Sequence, residues 1–520
     1  MKKTTKTQII LPKNSNQALG IGQFSVDFIS GEVGSPDQAV FDKTTQFFTD
    51  AVLCGLSAVA VKTNAPTVLH NEALDFPLPG GATLFGSSAT VVPEKAILAN
   101  CSAVREWDSN GTNFGYNPEL GHIAGEFGHN DFYAVPVAAA QVAGLGGDVA
   151  LRGMILLDEI RGRLAEVFSL KTYKIDHVVH GGIASAAVYG AMCGATPEQI
   201  ESAIGMFVAH FVPWRAIRAG KQLSDSKGAS AAISTEVAIV SMKRSMKGFM
   251  GPKDIFRNPE SMFRQFEHTG GDSPFDLILS HSGSDFAVMG MHFKIGLYEH
   301  QSAGALQGLL NLIQECPNIA SNPESIDIVK ITAYEPAFGI IGDPAKRNPT
   351  TRQSADHSMV YIVSTMLRKA KEVSSVEGLG VFKNSNDDVW KKLMLTPYDY
   401  DADAINNKDT RKIMEAISFE HGGQEYDEKY PDGIPTGVQI TLKSGEVFDS
   451  GLIMYPSGHA RNKSCNLDDL LQSKFSMHGG IAMDDPSLII NRCQSVSTLS
   501  HQDLLGIWDI QLADRPKYKD

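Results

Sequence analysis

Long apolar runs are missing from this 520-residue chain, and none reaches the ~18 residues a membrane-spanning helix needs. Cysteine is sparse: six residues, at 54, 101, 193, 316, 465 and 493, with no C-x-x-C pair among them. That scatter argues against a disulfide framework and does not supply the short-spaced thiolates usual for an iron–sulfur cluster. Positive charge is in deficit, with 46 Lys and Arg against 59 Asp and Glu, net −13. A nucleic-acid partner is therefore not expected, and an anionic ligand requires cations gathered at one place. No Walker loop, no G-x-G-x-x-G after a strand, no H-E-x-x-H and no metal-ligand spacing occurs. No cofactor and no metal are expected. The basic start Met1–Lys6 leads into no signal-peptide core and no Arg-rich presequence, so the expected location is the cytoplasm, with no membrane partner.

What is present is the texture of an ordinary globular protein, 42% hydrophobic and 20% charged. At ~150 residues per domain the length allows two to four domains. Residues 1–35 read as an extended arm ending in a Gly-rich turn at 31–34. Val40, Phe41, Phe47, Phe48, Val52 and Leu53 recur at helical spacing, predicting a helix over 37–61 whose second half is apolar nearly all round, hence buried. Pro77–Gly86 reads as a loop. Further helices are predicted over 95–104, 132–144, 149–167, 182–194, 197–210 and 228–247. Thr196-Pro197-Glu198-Gln199 gives the 197–210 segment a cap, a Pro in the first turn and an early acid. Near Gly290 the texture changes. Residues 326–334 alternate with period two, 356–371 and 411–417 look helical, and strands over 437–442 and 447–454 flank the turn Lys443-Ser444-Gly445-Glu446. Helical patterning returns at 467–475 and 502–510. The expected fold is mainly α: a large, discontinuous all-helical domain (1–289, rejoined by 464–520) with a smaller α+β lid domain (290–463).

Four places concentrate chemistry. In the first, Asn100–Asp131, polar residues lie densely on a Gly-punctuated loop between helices; Asp108, Thr112, Glu126, His129 and Asp131 offer acid, base and hydroxyl groups. The plain alternative is a capped connecting loop. In the second, His177 and His180 precede the Gly181-Gly182 helix entrance, where an anion is favoured; either can equally be a structural histidine. The third is the basic run Arg215, Arg218, Lys221 and Lys227. The two arginines share one face of a turn, and Lys227 opens a helix against the dipole, which suggests that it answers a ligand. The fourth is His292, Lys294, Tyr298 and His300 at the seam near residue 290.

These stretches resemble the signature of the MmgE/PrpD family. Ala103-Val104-Arg105, Asp108, Thr112 and Gly128-His129 match its A-V-R-x-x-D-x-x-D-T and G-H-P strings, but Gly111 stands where the second aspartate is usual and the loop 113–127 is longer. Asp176-His177-Val178, the R-x-x-R of Arg215 and Arg218, Phe293-Lys294, Ala355-Asp356-His357-Ser358 and Tyr455-Pro456-Ser457-Gly458-His459-Ala460-Arg461 also resemble family segments, in the family order. The 355–358 stretch is expected to cap a helix, and 455–461 to form a structural turn. The resemblance implies a homodimer with a site between the two domains, and a small di- or tricarboxylate substrate. It implies catalytic parts for Asp108, Thr112, His129, His177, Lys227 and Lys294, and substrate binding by Arg215, Arg218 and His300. The reaction expected is dehydration of a 2-methylcitrate-like acid, with His177 or His129 as base and Asp108, oriented by Thr112, or His129 as acid. A decarboxylase or epimerase on the same frame, or a non-catalytic carboxylate-binding relative, are the alternatives.

Overall fold

The computed structural model describes residues 3–4, 6–113, 115–118, 122–123, 128–218 and 222–520, and for 3–4, 122–123 and 128–129 the backbone alone. The fold is mainly α. Val178–Met192 lies at the centre of the helical part, packed against Gly147–Val167 and Ser230–Met246. Small residues make this possible. Cβ atoms at Gly181 and Gly182 would lie 2.0 and 2.2 Å from the rings of Phe132 and Phe207, so each glycine receives an aromatic side chain. The predicted early helix is Gln38–Ala60; from Ala51 onward it is buried on nearly every side, as its apolar run requires. It packs on Pro93–Glu106 and on Leu467–Ala482. Among the described residues no single helix is long and apolar enough to cross a membrane.

The predicted cap at Thr196 is formed: its hydroxyl accepts from Gln199 N, and the Gln199 side chain accepts from Thr196 N at 2.9 Å. Three local readings need correction. The first 35 residues are not an extended arm, because Gln17–Ser30 is a helix. Asn16 caps its start, Gly31 ends it at φ 81°, and Ala18, Ile21, Phe24 and Phe28 form the buried stripe. Within the expected loop 77–86, Pro77–Thr83 pairs as a strand with Thr90–Val91. The expected 502–510 helix is the shorter His501–Leu505, and the chain beyond it runs without regular structure.

Past residue 290 a four-stranded sheet forms in the order Ile417–His421, Ile326–Ala333, Thr436–Leu442, Val447–Ile453. The first pair is parallel and the others antiparallel. The hairpin 436–453 is the one its turn residues predicted, and Ala303–Glu315 packs on it. Met359–Glu377 follows a cap by Ser358, whose hydroxyl accepts from Tyr361 N at 3.3 Å. Phe47 of the helical part stacks on Phe293 at 3.9 Å between ring centroids and 10° between planes, so the two parts meet through aromatic contact beside Lys294.

The return of the chain after residue 464 is seated at Gly147. Its N–H donates to Leu499 O at 2.8 Å, and a Cβ there would stand 1.8 Å from Val496 O. Gly147→Ala is therefore expected to destabilise the protein by ~1–3 kcal/mol in urea unfolding, whereas Gly144→Ala, which meets no atom within 4 Å but has φ 73°, tests backbone strain alone.

Candidate functional site

Pro93–Glu106 ends at Trp107, whose extended backbone turns Asp108 into the interior. The Asp108 carboxylate gathers four cationic or imidazole groups. Lys294 Nζ is hydrogen-bonded to Oδ1, Arg105 Nη1 lies 3.1 Å from the same oxygen, and Lys227 Nζ and His357 Nδ1 lie 3.4 and 3.2 Å from Oδ2. Asp356 makes the second anchor: Lys227 Nζ is 3.4 Å and His357 Nδ1 2.6 Å from its Oδ1, and Arg352 Nη1 is 3.3 Å from its Oδ2. Arg352 also donates to the Glu106 carboxylate and to its main-chain oxygen, both at 2.6 Å. All of these groups are buried. Burial alone raises the Asp108 carboxyl, but Arg105, Lys294, Lys227 and His357 reverse this and hold it well below the usual range, so it stays ionised. Burial lowers Lys227 to about 8, against the pull of Asp356 and Asp108. It is thus mainly the ammonium at neutral pH and loses its charge as pH rises through about 8.

Lys227 lies in the turn Asp225–Gly228 that leads into Ser230–Met246. His177 is the residue before Val178–Met192, buried and held neutral, its pKa pushed well below the ordinary value by burial and by Arg218. Arg218 donates to Asp176 through Nε and, at 3.2 Å, through Nη2, which also meets His177 Nε2 at 3.3 Å. That Nε2 accepts, because a guanidinium only donates, and the proton of the neutral ring is on Nδ1. Arg215 and Arg218 share a short 3₁₀ turn, Arg215–Arg218. His177, Arg215, Arg218, Leu223, Glu299, Gln301, Lys346 and His357 line one cleft with Ile340 and Ile341. His357 joins the cleft to the buried network, since it belongs to both.

The other expected residues are placed differently. Thr112 is buried in a backbone ladder: it pairs with His129 in a two-stranded ribbon, donates through N to His292 O at 3.0 Å, and accepts through O from His292 N at 2.8 Å. The side chain of His129, the residue Glu126 and Lys221 lie outside the described residues. His300 does not line the cleft. Its ring stacks 5.2 Å from His292, which stacks 4.1 Å from His459. The turn 455–461 completes that stack and buttresses the seam: Ala460 N donates to His292 Nδ1 at 3.0 Å and Phe293 N to Gly458 O at 2.9 Å. His180 is a structural histidine, bonded to Phe168 O at 2.9 Å.

Gly111, the departure from the family string, has a steric cause. A Cβ there would stand 2.4 Å from the Phe47 ring. An aspartate at this position is incompatible with Phe47 where it stacks on Phe293.

Four residues were missed as functional candidates. Asp356 and His357 were read as helix-capping residues; Ser358 alone makes the cap, which frees its two neighbours for the network. Glu299 adjoined a residue singled out for chemistry, and Lys346 sits on a short turn with no local signal. Among the described residues, Asp108, Asp356 and His357 bring possible metal-ligand atoms within 4.8 Å of one another. The Lys227 ammonium, 3.4 Å from each carboxylate, stands in the cationic position of that group. A wider crevice near Arg163 and Arg461 offers cations already matched by Glu159, Glu166, Asp285 and Asp432. Lys346, by contrast, has no carboxylate within ion-pair distance among the described residues. Burial and the nearby Arg215 and Arg218 lower its pKa despite the pull of Glu299.

Residues 28–273 match the MmgE/PrpD N-terminal domain. Through that domain, which spans just under half of its length, the chain resembles the MmgE/PrpD family. Among characterised relatives it is 25% identical over 453 residues to the mitochondrial 2-methylcitrate dehydratase of Yarrowia lipolytica, covering 85% of this chain and 81% of the relative. It is 23% identical over 466 residues to the 2-methylcitrate dehydratase of Escherichia coli O157:H7, covering 87% and 88%. It is 21% identical over 463 residues to a fungal alkylcitrate dehydratase, covering 87% and 86%.

Removing the charge at the centre takes from buried Lys294 its ion-pair partner and leaves Lys227 with Asp356 and Arg105 with Asp131 alone. Asp108→Asn is expected to cost ~3–5 kcal/mol at neutral pH, read by urea unfolding. Because the folded pKa of Asp108 lies below its unfolded value, its contribution is complete above about pH 4 and is lost as pH falls through the folded value. The gap between wild type and variant should therefore narrow only in acid.

Proposed function

We propose that this protein is a hydro-lyase that removes water from a 2-methylcitrate-like hydroxy-tricarboxylic acid, and that its site lies between the 1–289 and 290–463 portions. One observation carries the reading. Arg215 and Arg218 from one portion and Lys346 from the other line a single cleft in a chain of net charge −13. Asp176 already pairs with Arg218, but no ion pair neutralises Lys346 among the described residues, so the cleft favours an anion. Planar guanidiniums suit carboxylates, and three cations suit a polyacid. The names of the relatives support the same substrate class.

In this mechanism the substrate carboxylates bind Arg215, Arg218 and Lys346. Neutral His177 takes a proton from the carbon beside a carboxylate. Its Nε2 lone pair is engaged by Arg218 at 3.3 Å, so the guanidinium must turn to a substrate carboxylate as the base is released. Negative charge developing on the substrate is stabilised by the Lys227 side of the network. Asp108, held ionised, keeps Lys227 and Lys294 in place rather than supplying a proton. The carbon–oxygen bond then breaks and an unsaturated acid remains.

Gly111 favours keeping one second reading: it removes a carboxylate usual in the family string, and decarboxylation or epimerisation on the same frame needs no leaving hydroxyl. Incubation with 2-methylcitrate, citrate and cis-aconitate, following alkene absorbance and released CO2, separates the reactions. Alkene formation from 2-methylcitrate is the expected result, and CO2 from cis-aconitate without it overturns the reading. Lys227→Ala should lower kcat at least 100-fold. Lys346→Met should raise KM about tenfold or more with kcat little changed, as expected for loss of a charged hydrogen bond made equally in ground and transition states. The homodimer implied by the family is tested by sedimentation equilibrium against the 56.2 kDa chain mass.

A further inference from the structure

Elimination of water needs a proton given as well as a proton taken, and the residues considered so far supply only the taker. Asp108 is ionised by its four neighbours. His177 and His357 are neutral imidazoles whose proton affinity burial has lowered, the latter to about 3. Glu299 differs from all of them. It precedes the turn His300–Ser302, is 6% exposed, and lines the cleft beside His177 and His357. Its main-chain N–H donates to Asp356 O at 2.9 Å, which fixes it against the buried network.

The plain role for Glu299 is a cap: one carboxylate oxygen accepts from Gln301 N at 2.8 Å. Capping alone does not require a carboxylate to be buried facing a cleft, and a serine or asparagine caps as well. Among the described residues no ion pair neutralises it, in contrast to Asp108, Asp176 and Asp356. The groups that face it are Asp108 and Lys294 from the network, Lys346, Arg215 and Arg218 across the cleft, His177 and His357 at the cleft wall, and the Tyr334 phenol. Ile340 and Ile341 add only apolar surface.

We propose that Glu299 is the general acid of the reaction, delivering its carboxyl proton to the departing hydroxyl. This rests on the hydro-lyase reading above. As the carbon–hydrogen bond breaks, the proton goes to His177 and the electron pair forms the alkene. The carbon–oxygen pair leaves with the oxygen, which takes the Glu299 proton and departs as water. Imidazolium and carboxylate remain, and transfer of one proton from His177 to Glu299, directly or through solvent, restores both. Burial first, then the charge of Asp108, raises the Glu299 carboxyl to about 7, so it is protonated on the acid side of neutrality and able to donate there.

Glu299→Gln separates the acid from the cap, since the amide oxygen still accepts from Gln301 N. With the full-length protein and 2-methylcitrate, the variant is expected to melt near the wild-type temperature, to keep KM within about threefold and to lose ~10²–10⁴-fold in kcat. The wild-type rate should fall as pH rises through about 7, and Glu299→Asp should retain a pH-dependent fraction of activity that Glu299→Gln does not. A Glu299→Gln variant with at least half the wild-type kcat, or with the alkaline fall intact, overturns the assignment and leaves the hydro-lyase reading standing. A wild type that dehydrates none of 2-methylcitrate, citrate or a longer alkylcitrate overturns that reading itself, and this assignment with it.

Discussion

Burying the Asp108 carboxylate is the constraint on which the rest of the structure depends. Alone in an apolar interior it would lose its charge or unfold its surroundings. Here Arg105, Lys227, Lys294 and His357 meet it from four separate stretches of chain. The three cations among them are also costly to bury, so each stretch is held where it is by the need to reach the same two oxygens. The second carboxylate, Asp356, repeats the arrangement with Lys227, His357 and Arg352, and Arg352 returns to the end of the Pro93–Glu106 helix at Glu106. The loop closes on itself. Residues nearly 250 positions apart in sequence are locked by charge rather than by apolar area.

That locking explains why acid/base chemistry can be assembled in an acidic protein. The network absorbs Asp108 and Asp356, and the groups facing the cleft are Arg215, Lys346, Arg218 with its partner Asp176, neutral imidazoles and one carboxyl that burial keeps from ionising readily. Net charge describes the surface as a whole; the field inside a cleft is set by the few groups that line it. The aromatic contact of Phe47 with Phe293 holds the seam next to Lys294, and it excludes any side chain at position 111. A change in a signature string and a change in packing are thus one event.

The helices were largely legible in sequence because their causes are local. A stripe at 3.6 spacing, a Thr-Pro-Glu-Gln start and an alternating run each act over a few residues, and the 38–60 and 197–210 helices and the 436–453 hairpin formed where those patterns stood. The helix at 17–30 was missed although Asn16, the apolar stripe and Gly31 marked both ends and one face, because the short segment was weighed as an arm. At the site, Lys227, Lys294 and Asp108 were legible from the family strings, and the structure joins them within hydrogen-bonding or ion-pair distance. His300 was legible as chemistry but is packed in a histidine stack, a placement set by His292 and His459 from elsewhere.

Sequence alone thus determined the helical texture, the family resemblance and the identity of the charged groups available, all of which depend on neighbours a few residues away or on strings read in order. Only the tertiary structure decided which charges cancel and which remain for a ligand. Asp356 and His357 entered the network, and Lys346 and Glu299 entered the cleft, because burial and pairing are made by residues up to 250 positions distant. A carboxylate ion-paired with two ammonium groups and one with no ion pair among the described residues read alike in a sequence, and their proton affinities move in opposite directions once the chain has folded around them.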